Sequence, residues 1–289
     1  MENNFVPSEK LNLWQPLRKV LLFIGLAMLF NLGVLFFKGS QAALEFLGGY
    51  LIEFSLSLDN LFVFISIFTA FGISEHAEHR VLTYGIMGAV ILRLIFISLG
   101  VQVVNHFHFI LYIFGAVLII NGIKMFFQKE HEYDVKNHKM MRFLRRFVPM
   151  TEEMVGEKFF VKIDGKRMIT PLFAVLMIIE GSDILFAIDS IPAVFSVTTD
   201  LFIVYTSNIF AILGLRQLYF VLLHLQERFQ YVRYGVATIL TFTGVKLGLL
   251  MFHIEISIPI SISVIFGILA LSIILSMVMS KKKTSTRTD

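Results

Sequence analysis

The chain consists mainly of long apolar stretches separated by short polar ones. Eight of them come near or exceed the roughly 20 residues that a helix needs to cross the hydrocarbon core of a bilayer. They are residues 20–37, 42–71, 81–103, 109–127, 169–198, 201–223, 234–252 and 256–279. Strands of a membrane β-barrel are about ten residues long and alternate in polarity, which these stretches do not. The pattern therefore predicts an all-α polytopic membrane protein with about eight transmembrane helices.

The composition supports this fold class. Of the 289 residues, 56% are hydrophobic and only 16% are charged, and the mean hydropathy is +0.78. Soluble domains average about 25% charged residues. The composition thus excludes a soluble globular protein, a disordered protein and a nucleic-acid binder, and it makes the lipid bilayer the expected environment. Cysteine is absent, which excludes disulfides and thiolate metal sites.

Lysine and arginine predict the orientation, because they accumulate in cytoplasmic loops. If the N-terminus is cytoplasmic, 20 of the 25 Lys and Arg residues lie in inner segments, and only Lys38 lies in an outer one. We therefore predict a protein of the cytoplasmic (inner) membrane with both termini cytoplasmic. The stretch 20–37 exceeds the 7–15 apolar residues of a usual signal peptide, so a retained helix is expected rather than a cleaved signal.

The polar segments divide the chain into five parts. These are an N-terminal segment with a peripheral first span (1–41), a first three-helix repeat (42–127), a basic cytoplasmic loop (128–168), a second three-helix repeat (169–252), and a last span with a cytoplasmic tail (253–289). The basic loop is expected to be a linker held near anionic lipid head groups. A regulatory domain is the alternative.

Spans 2–4 and 5–7 resemble each other. The aligned positions are Glu53, Asp59 and Asn60 with Asp183, Asp189 and Ser190; Tyr84 and Arg93 with Tyr205 and Arg216; and Tyr112, Gly122 and Lys124 with Tyr234, Gly244 and Lys246. Because each repeat has an odd number of spans, the second must enter the membrane from the opposite side. Inverted repeats of this kind place substrate sites near the bilayer midplane.

Five acids fall within the spans: Glu53, Asp59, Glu180, Asp183 and Asp189. At about 2.5–3.5 kcal/mol each, five isolated charges would cost roughly 12–18 kcal/mol. They must therefore be paired, protonated, or facing water or a metal ion. Arg93 and Arg216 are central enough to balance charge, whereas Lys124 and Lys246 lie near span ends and could snorkel to the interface. Two buried Arg–acid pairs would leave about three acids unexplained, which favours a functional cation site.

The candidate ligands are all hard oxygen donors: Glu53, Asp59, Asn60, Glu180, Asp183, Asp189 and Ser190, with Asn208 as a further donor. Such a set suits Mg²⁺, Ca²⁺ or Mn²⁺ better than Zn²⁺ or Cu⁺, and cannot choose among the first three. A spacing of six turns the second acid of each repeat by about 120° on a helix. A straight helix would aim the two acids at different surfaces, and a break between them could bring both inward. Both acid-bearing stretches are also about 30 residues, or about 45 Å as straight helix, which exceeds the hydrocarbon core, so they must tilt strongly or break.

At these acids the sequence resembles the TerC family of integral membrane proteins, and it is most similar to the Alx-type members. The stretches YLIEFSLSLDNLFVF and EGSDILFAIDSIPAVFSVTTDLFIVYTSNIFAILGLRQLYF contain the resemblance, which runs from about residue 47 to the last span. It implies Mn²⁺ export from the cytoplasm, with Mn²⁺ as the transported ion, and the family was named for tellurium resistance. It also maps the family's acidic motifs onto Glu53, Asp59, Asn60, Glu180, Asp183, Asp189 and Ser190.

The leading hypothesis is a secondary transporter rather than an enzyme, with Asp59 and Asp189 as central ligands. Proton coupling is attractive because empty carboxylates can take up protons. The alternatives are a membrane scaffold or assembly factor acting through the basic loop, a membrane-embedded enzyme with a pair of acids, and an oxyanion exporter. An oxyanion site should be dominated by cations, which the five acids oppose.

Overall fold

The computed structural model describes residues 14–127, 146, 148–163, 165–225 and 231–285. Its elements in chain order are α1 (Trp14–Lys38), α2 (Ser40–Phe71), α3 (Glu75–His106), α4 (Ile110–Phe127), β1 (Phe160–Ile163), β2 (Lys166–Ile169), α5 (Pro171–Phe195), α6 (Leu201–Leu225), α7 (Val232–Leu249) and α8 (Ile258–Ser285). A single 3₁₀ turn, Leu250–Phe252, extends α7. All eight helices are long and apolar enough to cross a membrane, which confirms the predicted fold class and the eight spans.

Local sequence explains where the central helices begin and end. Gly39, with φ of 90°, separates α1 from α2, and Gly72 ends α2 in the left-handed conformation with its N–H bonded to the carbonyls of Phe68 and Thr69. Helix α5 begins at Pro171, whose fixed φ suits the first helical position. It continues through Pro192, so neither acid-bearing helix is interrupted. Of the two alternatives expected from these lengths, tilt or a break, the structure excludes the break and leaves tilt.

The helices differ in how deeply they are buried. α2 is the most enclosed of the eight spans, and α1 is the least. α1 contacts α2 and α6 on one side, and its outer face exposes large apolar side chains such as Leu29 and Phe36. This exposed apolar surface is what a lipid-facing helix requires.

The contacts between the two proposed repeats form a symmetric set. The contact between α2 and α6 corresponds to the contact between α3 and α5, and the contact between α4 and α5 corresponds to the one between α2 and α7. Each helix of the first repeat also packs on its equivalent in the second: α2 on α5, α3 on α6 and α4 on α7. Exchanging α2, α3 and α4 with α5, α6 and α7 leaves these main contacts unchanged. The packing therefore supports the repeat, whose inverted orientation remains a prediction.

The closest helix pair, α4 and α7, repeats the symmetry at the level of residues. A Cβ on Gly244 would lie 2.7 Å from the carbonyl oxygen of Gly115, and a Cβ on Gly122 would lie 2.9 Å from that of Ala237. The alignment that matches Gly122 with Gly244 also matches Gly115 with Ala237. Each third helix thus uses its motif glycine to approach the backbone of the other.

The basic loop contains a small β-hairpin that was not predicted. β1 and β2 pair antiparallel, with Phe160 opposite Ile169 and Lys162 opposite Arg167. The dipeptide Asp164-Gly165 between the strands is a strong hairpin signal in sequence, but a search for apolar spans passes over it. Residues 128–145 of the loop, including Lys136, Arg142 and Arg145, lie outside the described residues, as do the first 13 residues and the last four.

Candidate ionic site

The centre of the bundle holds one arginine bound by acids from both repeats. Arg93, on α3, is 1% exposed, and its Nη1 donates to Glu53 Oε1 of α2. Its Nη2 lies 3.3 Å from Asp183 Oδ1 of α5. The sequence places Glu53 and Asp183 at equivalent positions of the two repeats. The structure brings these two carboxylates onto the same guanidinium.

Neutral oxygens complete this arrangement. Arg93 Nη1 also donates to Asn208 Oδ1 of α6 at 2.6 Å and to Ser190 Oγ of α5 at 3.4 Å. Asn208 is oriented by its own amide, which donates to the carbonyl of Val204 at 3.1 Å. We call Glu53, Asp183, Ser190 and Asn208 the Arg93 cage. It consists of four hard oxygen donors from three helices around one positive charge.

The cage has more negative charge than its arginine neutralises. Two carboxylates face one guanidinium, and ion pairs at this depth are stable only when their geometry and hydrogen bonding are good. Ser57, one turn after Glu53, donates to Glu53 Oε1 at 3.1 Å. Yet Glu53 Oε2 and Arg93 Nε are buried without a hydrogen-bond partner among the described residues. The cage therefore contains one unpaired acceptor, Glu53 Oε2, and one unpaired donor, Arg93 Nε, among the described residues.

A cavity of about 30 Å³ adjoins the cage. Asp183, Glu180 and Arg216 supply its polar lining, and the rest is apolar. Gly88 of α3 makes room for the Glu180 carboxylate, which a Cβ at that position would overlap. Glu180 Oε2 is buried without a partner among the described residues. Since one water molecule needs roughly 10–15 Å³ in this measure, the cavity has room for about two water molecules beside the cage.

The second acid of each repeat lies on another side of its helix, as the 120° rotation predicts. Asp189 is half-buried, and its Oδ1 accepts a hydrogen bond of 2.6 Å from Asn121 of α4. Asp59 is also half-buried, and Arg233 at the start of α7 attracts it electrostatically. Asn60, next to Asp59, is buried. No described contact joins Asp59 to Asp189, so their role as central ligands remains a prediction.

The remaining predicted bases occupy different surroundings. Arg216 is half-buried, and its Nη2 lies 3.3 Å from His79 Nδ1. Lys124 is exposed near the end of α4, as a snorkelling lysine would be. Lys246, for which the sequence allowed the same position, is only 6% exposed and is enclosed by protein. It is enclosed because α7 lies inside the bundle.

Sequence reasoning missed two polar groups near these residues. Asn121 immediately precedes the motif glycine of α4, so its position in the repeat was a usable signal. Glu78 lies just before the predicted span 81–103, yet α3 begins at Glu75 and buries it. Among the residues that the structure describes, no three His, Asp or Glu side chains form a group able to hold a metal ion. Of the five acids in the spans, Glu53 and Asp183 pair with Arg93, whereas Asp189 contacts Asn121 and Asp59 is attracted by Arg233.

In the described part of the chain, eight helices can span a membrane, and four of them meet at the buried arginine–carboxylate centre. The protein is a polytopic integral membrane protein with an ionic site inside the bundle. The chain belongs to the TerC family: the profile described as "Integral membrane protein TerC family" matches residues 38–284. This membership confirms the family resemblance of the sequence.

Curated relatives cover most of the chain. The "Uncharacterized membrane protein STKORF319" of Myxococcus xanthus is 44% identical over 268 residues, which is 93% of this chain and 84% of the relative. The "Putative membrane-bound redox modulator Alx" of Escherichia coli K12 is 44% identical over 264 residues, 89% of this chain and 82% of the relative. An "Uncharacterized membrane protein" of Rickettsia bellii is 40% identical over 273 residues, which is 94% of this chain and 89% of the relative. No solved structure matches the chain.

Proposed function

We propose that this protein is a secondary transporter that exports divalent metal cations, with Mn²⁺ as the main substrate, from the cytoplasm. One observation supports this function most strongly. Arg93 is held at the centre of the bundle by carboxylates from both repeats, Glu53 and Asp183. A site shared by two repeats is where alternating-access transporters bind their ions.

In this proposal Arg93 occupies the site while the ion is absent. Its single positive charge balances only one of the two cage carboxylates, whereas a divalent cation would balance both. Ion entry would require Arg93 to release Glu53 and Asp183, whose oxygens would then join those of Asn208 and Ser190 as ligands. Carboxylate, amide and hydroxyl oxygens suit hard cations such as Mn²⁺, Ca²⁺ and Mg²⁺, and the family resemblance selects Mn²⁺.

The acids outside the cage would line the route by which a cation reaches it. Glu180 shares the adjoining cavity with Asp183 and Arg216, so it can attract a cation beside the cage. Asp59 and Asp189 are half-buried and would serve as ligands in another conformation or at the ends of the route. Arg216 would balance the charge of Glu180 when the cavity is empty.

Export needs an energy source. If the interior is negative, moving a divalent cation outward costs about 4.6 kcal/mol per 100 mV. Carboxylates that lose their cation inside a bilayer can take up protons, because the neutral form is less costly there. We therefore include proton exchange in the proposal, with both termini cytoplasmic and the protein in the inner membrane. A reporter fused after Lys283 should be found on the cytoplasmic side.

The name given to the Escherichia coli relative is compatible with this proposal. That protein is described as a redox modulator, but the present chain contains no cysteine. An effect on cellular redox state would thus have to arise without thiols of its own. Control of the concentration of a redox-active metal ion is one such route.

The test is Mn²⁺ efflux from loaded proteoliposomes, compared with Mg²⁺ and Ca²⁺ efflux. Glu53→Gln with Asp183→Asn should reduce Mn²⁺ flux at least tenfold, because the cage would lose both negative charges. Asp59→Ala with Asp189→Ala tests the second pair of acids. Asp200→Asn, which changes an acid outside the spans, is the control and should retain flux. Elution as a single species in size-exclusion chromatography checks that each variant is folded.

The outcome also separates the alternatives. Undiminished Mn²⁺ flux in both double variants would reject the proposed site. Absence of flux for all three ions in the unmodified protein would reject transport, and would favour the scaffold. Cleavage of reconstituted peptides that depends on Asp59 and Asp189 would instead indicate the enzyme with paired acids.

A further inference from the structure

The hairpin β1–β2 directly precedes the membrane-spanning helix α5, and hydrogen bonds hold its base in place. Only Thr170 separates β2 from the membrane-spanning helix α5, and its Oγ1 donates to the carbonyl of Lys158 at 2.6 Å. The backbone of Ile169 bonds to the segment before the hairpin, accepting from Thr151 N–H and donating to the Pro149 carbonyl, both at 3.0 Å. These bonds fix the hairpin relative to the end of the helix bundle.

Aromatic side chains attach the base of the hairpin to the spans. Phe159 is buried, with its ring 5.3 Å from that of Tyr84 on α3 and 5.2 Å from the guanidinium of Arg80. The next residue, Phe160, has its ring 4.8 Å from that of Phe173 in the first turn of α5. Phe160 nevertheless remains 60% exposed. Its free side therefore lies next to the start of a candidate span.

One face of the hairpin concentrates positive charge beside this phenylalanine. Residues alternate between the faces of a strand, so Phe160 and Lys162 share a face with their cross-strand partners Ile169 and Arg167. Lys162 and Arg167 are both exposed and directly opposite each other. Like charges in this position are mutually unfavourable, and neither strand contains an acid to relieve them.

We propose that this face, formed by Phe160, Lys162 and Arg167, binds the phosphate head group of an anionic phospholipid. The paired cations would hold the phosphate, and the Phe160 ring would insert among the adjacent glycerol and acyl groups beside Phe173. Basic residues next to a span are attracted to anionic lipid surfaces. The acids of the neighbouring segment, Glu152, Glu153 and Glu157, precede the strands, and among the described residues none forms an ion pair with Lys162 or Arg167. The inference rests on the membrane fold and is independent of the transported ion.

The opposite face of the hairpin supplies a matched control. Lys166 pairs with Ile163 and follows the other alternation, so it points away from Phe160 although it adjoins Arg167 in sequence. Arg167→Glu and Lys166→Glu change the charge of the hairpin by the same amount. A head-group site on one face should respond to the first substitution more than to the second.

The probe is a tryptophan at position 160. The chain has one tryptophan, Trp14, so Trp14→Phe with Phe160→Trp gives a single reporter in the full-length protein. Its fluorescence is measured in proteoliposomes of phosphatidylcholine and phosphatidylglycerol in which one lipid or the other has brominated acyl chains. We expect brominated phosphatidylglycerol to quench at least twofold more than brominated phosphatidylcholine at equal mole fraction. Arg167→Glu should reduce this ratio to near one, and Lys166→Glu should preserve most of it.

Three results would overturn the proposal. Absence of quenching by either lipid would place the hairpin in water. Equal loss of the ratio in Arg167→Glu and Lys166→Glu would show a general charge effect without a site. A tryptophan that lipids leave unquenched in proteoliposomes, but that becomes shielded from aqueous quenchers in native membranes, would indicate a protein partner. Arg167→Gln, which retains a polar side chain, repeats the test if Arg167→Glu fails to fold.

Discussion

Two buried regions hold the bundle together by opposite means. Around Arg93, helices α2, α3, α5 and α6 meet through two carboxylates, an amide and a hydroxyl. Between α4 and α7, Gly115 and Gly244 allow the backbones to touch, and no charge is involved. The glycine contact is the usual way in which membrane helices associate. The ionic one is costly, and a bundle that already has glycine contacts does not need it for cohesion, which is why we assign function to it.

The largest expected effect on stability comes from removing the positive charge of Arg93. Arg93→Gln leaves Glu53 and Asp183 buried without their counter-charge, and breaking a buried ion pair in this way costs about 3–5 kcal/mol. Thermal unfolding in detergent should show a correspondingly large loss of stability. The matched control is Arg216→Gln, because Arg216 is half-buried and bonded to a histidine, and its loss should cost much less.

A second substitution distinguishes charge from packing at Arg93. If uncompensated carboxylates cause the loss, adding Glu53→Gln to Arg93→Gln should restore part of the stability, and the two effects would be non-additive. If Arg93 acts only by filling space, the double variant should be less stable than either single one. Arg93→Gln with unchanged stability would contradict the ionic role altogether.

The intermediate effect concerns the glycine region. Gly244→Ala introduces a Cβ 2.7 Å from the carbonyl oxygen of Gly115, a backbone atom that cannot move aside cheaply. Overpacking of this kind costs about 1–3 kcal/mol. Gly248→Ala, one turn further along α7, meets nothing within 4 Å and should leave thermal stability unchanged or slightly raised, because alanine favours helix. Equal stability of the two variants would show that α4 and α7 are less closely packed than described.

How far the sequence predicted each region follows from the kind of interaction. The positions of the spans and their α-helical structure depend on runs of apolar residues, so both were predictable from local composition. The polarity of Arg93, Glu53 and Asp183 within apolar spans also identified them as candidate site residues, although Asp59 and Asp189 were predicted to be the central ligands. Their mutual pairing was not predictable, because it depends on the rotation of four helices, which no spacing within one helix determines. The same reason explains why the burial of Lys246 was not predictable.

Two missed features have local causes. Glu78 lies beyond the apolar core of its span, and only the start of α3 at Glu75 shows that it is enclosed. The hairpin β1–β2 has strands of four residues within a polar loop, so its signal is weak beside those of the spans. The ionic site was therefore predictable in its residues, and only partly in its geometry.

The smallest expected effect on stability comes from a solvent-exposed ion pair, which contrasts with the buried ion pairs of Arg93. Lys38 Nζ lies 2.8 Å from Asp200 Oδ2, and both side chains are about two-fifths exposed. Asp200 Oδ1 also accepts from the backbone N–H groups of Phe202 and Ile203 at the start of α6. Partial burial alone would raise the pKa of Asp200, but the hydrogen bonds from Lys38 and these N–H groups outweigh it, and the pKa falls below its usual value.

The sign of the pH dependence follows from this lowered pKa. The ionised carboxyl stabilises the fold fully above its unfolded pKa, near 3.9, and the contribution disappears as the pH falls through the lower folded value. Asp200→Asn keeps a side chain that caps helices as well as aspartate does, so it isolates the charge. At pH 7 it should cost at most about 1 kcal/mol, the usual limit for an exposed pair. The difference from wild type in thermal unfolding should shrink as the pH falls below the unfolded pKa and disappear below the lower folded pKa, whereas Asp200→Ala, which also loses the cap, should lose about a further 1 kcal/mol at pH 7. A pH-independent deficit in Asp200→Asn would show that the charge of Asp200 contributes nothing, and that its role is confined to the start of α6.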